Sequence, residues 1–270
     1  MISYPNIDPE IIHIGGGFGI RWYGVMYFLA FAISLFLVKK FFRERKIFVS
    51  NEFIADLILA ALIGVIIGGR LGHVLTSYQS FYFSNPIEIF KIWKGGMGFF
   101  GGVVGVAISI YIFSKIQKIS FYKIMDLIIP CVPIGIGLVR IGNFINGELY
   151  GRITKSPICM YFPADPQNCR YPSQLLQFLL EGVALFLILF FLRKKEWKPG
   201  TLSWLFIVLY GIFRFIAEFW REPQPEQPLI FSLTLAQIFS IIMIVAGMAM
   251  ILKINWLEHF HFQQQIRKKS

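Results

Sequence analysis

Seven apolar runs, each near the roughly 20 residues a helix needs to cross a bilayer core, recur along this chain at about 20–38, 53–75, 97–114, 124–140, 173–192, 200–219 and 234–252. Lipid offers the backbone no hydrogen bonds, so a spanning segment must satisfy its own amides, and helices are the simplest way to do so. The expected fold is therefore all-α, a polytopic transmembrane helix bundle of about seven spans forming one domain over 1–270. Composition agrees: 56% of the 270 residues are hydrophobic, only 15% are charged, and mean hydropathy is +0.63. No basic segment precedes the first apolar run, whose first basic residue is Arg21, so that span is expected to be retained rather than cleaved. Glycine and proline interrupt several runs, notably Gly95-Gly96-Met97-Gly98-Phe99-Phe100-Gly101-Gly102 and Pro130-Cys131-Val132-Pro133. The second interruption predicts a fourth span made of two half-helices.

A formal net charge of +11 suits a nucleic-acid binder and a membrane protein equally, so the placement of the charges decides. One set of alternate connections (39–50, 115–123, 193–198 and the tail) holds sixteen lysines and arginines, the other set seven. The positive-inside rule then puts the N-terminus outside and the C-terminus in the cytoplasm, with 76–96, 141–172 and 221–233 outside. No nucleic-acid partner is expected. The segment 141–172, rich in Gly, Pro and Asn, is the largest extramembrane piece and reads as a small periplasmic cap. Cys159 and Cys169 flank its polar part; they form either a disulfide, if the cap faces an oxidising compartment, or two free thiols.

Three arginines, Arg70, Arg140 and Arg214, fall inside apolar runs, where a guanidinium costs from a few to more than ten kcal/mol unless it is paired or wetted. Tyr210, Arg214, Glu218 and Arg221 recur at i, i+4, i+8 and i+11, a single polar stripe on an apolar helix, with Glu218 placed to neutralise either arginine. Such a stripe is a site or a structural clamp. The fourth run ends in Arg140-Ile141-Gly142-Asn143-Phe144-Ile145-Asn146-Gly147-Glu148, where a guanidinium and two amides emerge among glycines at the outer surface, a donor set suited to an anionic phosphate head group. There is no Walker loop, no G-x-S-x-G, no H-E-x-x-H and no paired-aspartate magnesium motif, which argues against metal catalysis and serine hydrolysis. Of the four histidines, His13 lies in the external N-terminal segment and His259 and His261 in the cytoplasmic tail. His73 stands three residues after Arg70 on the second span.

At these residues the chain resembles the bacterial prolipoprotein diacylglyceryl transferases. The likeness runs almost end to end, through Arg21-Trp22-Tyr23-Gly24-Val25-Met26-Tyr27, Gly68-Gly69-Arg70-Leu71-Gly72, Gly95-Gly96-Met97, Pro172-Ser173-Gln174-Leu175 and Tyr210-Gly211-Ile212-Phe213-Arg214. The run from Arg140 to Glu148 is its most specific part. The resemblance implies an enzyme of the bacterial inner membrane that needs no cofactor or metal. Its reaction would move the diacylglyceryl group of phosphatidylglycerol to the lipobox cysteine thiol of a prolipoprotein signal peptide, releasing glycerol phosphate. By the same resemblance Arg140 and Arg214 hold the lipid phosphate and stabilise the departing anion. Asn143, Asn146 and Glu148 belong to the signature, Tyr23 and Tyr210 line the site, Glu218 orients an arginine, and Arg70 is a further family arginine.

Three departures stand out. Phe100 occupies the place of a histidine proposed in many members to help activate the thiol, and phenylalanine accepts no proton; His73 is the substitute expected here. A free thiol near pKa ~8.5 needs only modest help in any case. Tyr171 replaces a histidine, and Gln177 lies where members often carry an acid. From another functional class, a transporter or flippase of an anionic lipid would use the same buried arginines, but would be expected to show inverted repeats, and none is apparent. A non-catalytic scaffold leaves the converging polar stripes unexplained.

Overall fold

The computed structural model describes residues 2–15, 18–76, 79–92, 95–223 and 230–267, with side chains described at all of these except 14, 15, 18, 79, 80, 99, 100 and 257–267. The chain opens on an antiparallel pair, β1 (Glu10–Gly15) and β2 (Phe18–Arg21), and is helical for most of its length thereafter. In order come α1 (Trp22–Glu44), α2 (Asn51–Thr76), the short α3 (Gln79–Ser84) and a 3-10 turn over Pro86–Phe90, then α4 (Phe99–Ile116) and α5 (Phe121–Ile128). After α6 (Val132–Ile145) a second antiparallel pair, β3 (Met160–Phe162) and β4 (Asp165–Arg170), forms within the expected cap. The chain closes with α7 (Ser173–Gln177), a π-helical stretch over Phe178–Ala184, α8 (Leu185–Leu192), α9 (Thr201–Ala217) and α10 (Leu235–Arg267).

Among the described residues five helical segments are long and apolar enough to cross a membrane: Trp22–Glu44, Asn51–Thr76, Phe121–Ile145, Ser173–Leu192 and Leu235–Trp256. The two other expected runs form shorter apolar helices, Gly101–Ile116 and Thr201–Ala217. Local backbone marks where each helix begins. Gly95 and Gly96 take positive φ (83° and 80°), so the third run enters its helix only at Phe99, and Gly200 caps α9 at φ 95°. The break expected in the fourth run is present as a 3-10 turn at Ile129–Cys131, bracketed by Pro130 and Pro133.

Exposure is inverted relative to a soluble protein. Phe28, Phe36, Leu75, Ile116, Phe191 and Leu252 are exposed, whereas Arg70, Asn143, Gln174, Gln177, Glu181, Arg214 and Glu218 are buried. Apolar flanks with polar residues turned inward are what lipid as solvent selects.

The chain divides into two compact units, residues 35–127 and residues 1–34 with 128–270. In the first, α2 and α4 pack backbone to backbone: a Cβ on Gly68 would stand 2.3 Å from the Gly101 carbonyl oxygen, and one on Gly105 only 2.2 Å from that of Gly64. Small residues at four-residue spacing on both helices (64, 68 and 72 against 101 and 105) permit this approach. In the second unit, Gly137 of α6 faces Gly182 of the π-helical stretch, where a Cβ on Gly182 would lie 2.8 Å from the Gly137 Cα. Gly211 likewise lets α9 close on Ser240 and Ile244 of α10.

The cap has its own small core of Phe144, Met160 and Phe162, with Tyr4, Tyr150 and Leu175 packed against it. Cys159 and Cys169 are joined as a disulfide, which resolves the alternative the sequence leaves open. The Tyr4 hydroxyl lies within hydrogen-bond distance of the carbonyls of Phe144 (2.7 Å) and Ile145 (3.0 Å), which share its one proton at the end of α6.

Candidate active site

The Gly137–Gly182 contact sets the site, because it brings Arg140, one turn further along α6, up to Glu181. Glu181 is fully buried in an otherwise apolar stretch, and the π-helical winding around it is a geometry often found at functional positions. One of its carboxylate oxygens accepts from Arg140 Nη2 (3.3 Å), and the other lies 3.5 Å from Nη1 of Arg214. Two intramembrane guanidiniums thus share one buried carboxylate. Arg214 also contacts Gln177 Oε1 (3.3 Å) and makes its shortest contact, 2.7 Å, with Glu218 one turn along α9. Arg221 reaches the same Glu218 oxygen at 3.9 Å. The stripe of the sixth run is therefore buried and paired, with Glu218 serving both arginines.

Glu218 is held from a second side. Thr234 and Gln237 form a capping box at the start of α10: Gln237 N–H donates to Thr234 Oγ1 (3.2 Å), and Thr234 N–H donates to Gln237 Oε1 (3.0 Å). The Thr234 hydroxyl then donates to Glu218 (3.1 Å), tying the carboxylate to a helix N-terminus, where negative charge is favoured.

Arg140 is bound more loosely. Beyond Glu181 its only side-chain hydrogen-bond contact among the described residues is a long one, 3.4 Å, to Asn143 Oδ1, and its Nε is buried with no hydrogen-bond partner among those residues. A buried, unpaired N–H on a cation is costly unless a ligand completes it. Asn143 donates in turn to Glu148 (2.7 Å), and Asn146 approaches the same carboxylate oxygen at 3.5 Å. The Gln174 amide secures the Glu148 carbonyl (2.7 Å). The loop that follows is pinned to the end of α9, with Arg152 N–H donating to the Trp220 carbonyl and Gly151 too crowded for any Cβ. The Tyr23 ring lies against Gly142, where a Cβ would meet it at 2.9 Å, and Tyr210 is buried and stacked on Phe206.

Arg70 and His73 belong to the other unit. Arg70 spends its donors on backbone carbonyls: Nε on Ile89, Nη1 on Gly95 and Gly96, Nη2 on Glu88 and Lys91. It ties down the carbonyls of residues 88, 89, 91, 95 and 96 rather than presenting a free hand. His73 packs edge-on to Tyr82 and beneath Gly96, whose Cβ would meet its Nε2 at 2.6 Å. It lines a cavity of about 490 Å³ with Arg70, Phe81, Tyr82, Glu88, Gly95 and Gly96, and its ring makes no hydrogen bond among the described residues. The Phe100 side chain, like those of His259 and His261, lies outside the described residues. Among the described residues no group of three or more His, Cys, Asp or Glu is placed to hold a metal.

Glu181, Gln177 as an arginine ligand, and Thr234 are the members of the site that the motifs do not single out. Glu181 carries a signal nonetheless: a lone acid in Leu179-Leu180-Glu181-Gly182-Val183 is as costly in lipid as a lone arginine.

Arginines and glutamates paired inside an apolar helical bundle define a membrane protein with a buried charged cluster. A profile described as prolipoprotein diacylglyceryl transferase matches residues 9–253. Among similar proteins, that of Geobacter sulfurreducens is 41% identical over 92% of this chain and 96% of its own length. Those of Shewanella oneidensis and Pseudomonas aeruginosa are each 42% identical over 93% of this chain and over 97% and 94% of their own lengths. Each of the three is named a phosphatidylglycerol–prolipoprotein diacylglyceryl transferase. The chain belongs to the prolipoprotein diacylglyceryl transferase family.

Proposed function

We propose that this enzyme transfers the diacylglyceryl group of phosphatidylglycerol to the thiol of a lipobox cysteine in a prolipoprotein signal peptide, releasing glycerol 1-phosphate. The observation that carries the reading is the convergence of Arg140 and Arg214 on the single buried Glu181, with Arg140 Nε left unpartnered. Three guanidiniums against two carboxylates leave one positive charge over, the complement of a phosphodiester monoanion. Fixed donors facing the oxygen on which charge develops stabilise the leaving phosphate without reorganising during the reaction. Asn143, Asn146 and Glu148 form the hydrogen-bonded rim beside Arg140, Tyr23 and Tyr210 supply apolar walls with a polar tip, and Glu218 aims Arg214. Arg70 supports its loop. His73 takes the thiol proton; its unbonded ring in a cavity supports that role.

We read the chain as a single seven-span domain of the inner membrane, N-terminus outside, with 141–172 as the periplasmic cap and the site near the outer leaflet. The disulfide in that cap supports an oxidising side for it. Family membership sets aside the flippase reading.

The test incubates purified protein in detergent with phosphatidylglycerol and a lipobox peptide, then measures glycerol phosphate and the mass gain on the cysteine. Product is expected with the wild type and is expected to be absent with a peptide lacking cysteine. Undiminished turnover in both Arg140→Ala and Arg214→Ala would overturn the phosphate clamp.

A further inference from the structure

The charges around the clamp bear on how the product leaves. Arg140, Arg214 and Arg221 meet Glu181 and Glu218 in one network whose excess is a single positive charge. Glu148 lies one hydrogen bond further out, through Asn143, and is exposed to solvent, which screens it. In the reaction proposed above, thiolate sulfur attacks the glyceryl carbon that bears the phosphate oxygen. The C–S bond forms, the C–O bond breaks, the phosphate oxygen keeps the bonding pair, and the thiol proton passes by way of His73 to solvent. A monoanionic diester therefore becomes a monoester whose second pKa is about 6, so that near neutrality it carries close to two negative charges. The ligand gains a charge while the protein around it does not.

Glu181 differs from Glu218 in the manner of its pairing. One Glu218 oxygen lies 2.7 Å from Arg214 Nη2 as an ion pair, and the other is anchored by the Thr234 hydroxyl. Glu181 stands between both clamp arginines at 3.3 and 3.5 Å, longer than a closed charge-assisted bond, so a phosphate can share those arginines with it. It has no exposure to solvent, so its charge is felt at close to full strength.

We propose that Glu181 is a positioning residue whose fixed charge matches the clamp to a monoanionic phosphodiester and drives the more highly charged phosphate monoester out of it. This rests on the transferase reading.

The test measures inhibition of thioether formation by glycerol 1-phosphate and by its methyl diester, glycerol methyl phosphate, which stays monoanionic. In the wild type the diester is expected to inhibit at least as well as the monoester despite its smaller charge. In Glu181→Gln the inhibition constant for glycerol 1-phosphate is expected to fall about tenfold or more and kcat to fall with it, while KM for phosphatidylglycerol shifts by no more than about threefold. Glu181→Asp, which keeps the charge, is expected to restore the wild-type inhibition constant. An active Glu181→Gln enzyme whose inhibition constant stays within about twofold of wild type overturns the proposal. So does a wild type that binds the monoester more than about tenfold tighter than the diester, a comparison that needs no variant to fold. A wild type that makes no thioether sinks the transferase reading instead.

Discussion

Arg140 and Arg214 have different partners, and so different expected responses to substitution. Arg214 is held on both Nη atoms, against Glu218 at 2.7 Å and against Gln177 and Glu181 at 3.3 and 3.5 Å, which only a planar fork can do at once. Arg214→Lys keeps the charge yet is expected to lower kcat/KM by about a hundredfold, as loss of a preorganised donor does; a change under about threefold in steady-state assays would count against its directional role. For His73, replacement by Phe is expected to slow turnover by about tenfold or more, whereas His259→Phe leaves it at the wild-type rate. Equal wild-type rates for both variants would remove His73 from the reaction. The arginines are legible in the sequence because charge in an apolar run is conspicuous, and the i, i+4 spacing of Arg214 and Glu218 announces their pairing. Glu181 is harder to place, because its partner Arg140 lies 41 residues away and only the packed fold brings them together.

At the scale of elements, the clamp depends on how closely α6 and the π-helical stretch approach. Gly182→Val would drive a side chain into the Gly137 backbone and push Glu181 away from Arg140. It is expected to cost about 1–3 kcal/mol in stability and most of the activity, read by thermal unfolding in detergent together with turnover. Wild-type values of both would mean that the glycine contact does not set the site. The cap is braced separately. Reducing the Cys159–Cys169 disulfide, which closes a span of 10 residues, is expected to weaken the cap by about 2–3 kcal/mol, visible as faster proteolysis within 155–170. Proteolysis at equal rates in oxidised and reduced protein would contradict that role. The hydrogen bond from Arg170 holds the Asp165 carboxyl below its usual range, so this pair contributes above the ordinary carboxylate pKa of about 3.9 and is lost only as pH falls through the lower folded value. Hydropathy and proline placement foretold the helices and the break at Ile129–Cys131. The β3–β4 pair lay hidden, since strands of three and six residues in a polar segment leave no periodicity to read.

For the whole molecule, lipid as solvent explains why phenylalanines and leucines face outward while glutamates and arginines gather within. Among the described residues, five of the apolar runs form helices long enough to cross a membrane, and the other two form the helices α4 and α9. In the proposed reaction Arg140 and Arg214 act as one grip on a lipid phosphate, which a double-mutant cycle on kcat/KM for thioether formation can measure. Each single alanine variant is expected to lose about a hundredfold or more, and the double variant no more than about tenfold beyond the worse single, because a half-clamp is nearly as poor as none. Losses that simply multiply, or a single variant that retains wild-type kcat/KM, would contradict it.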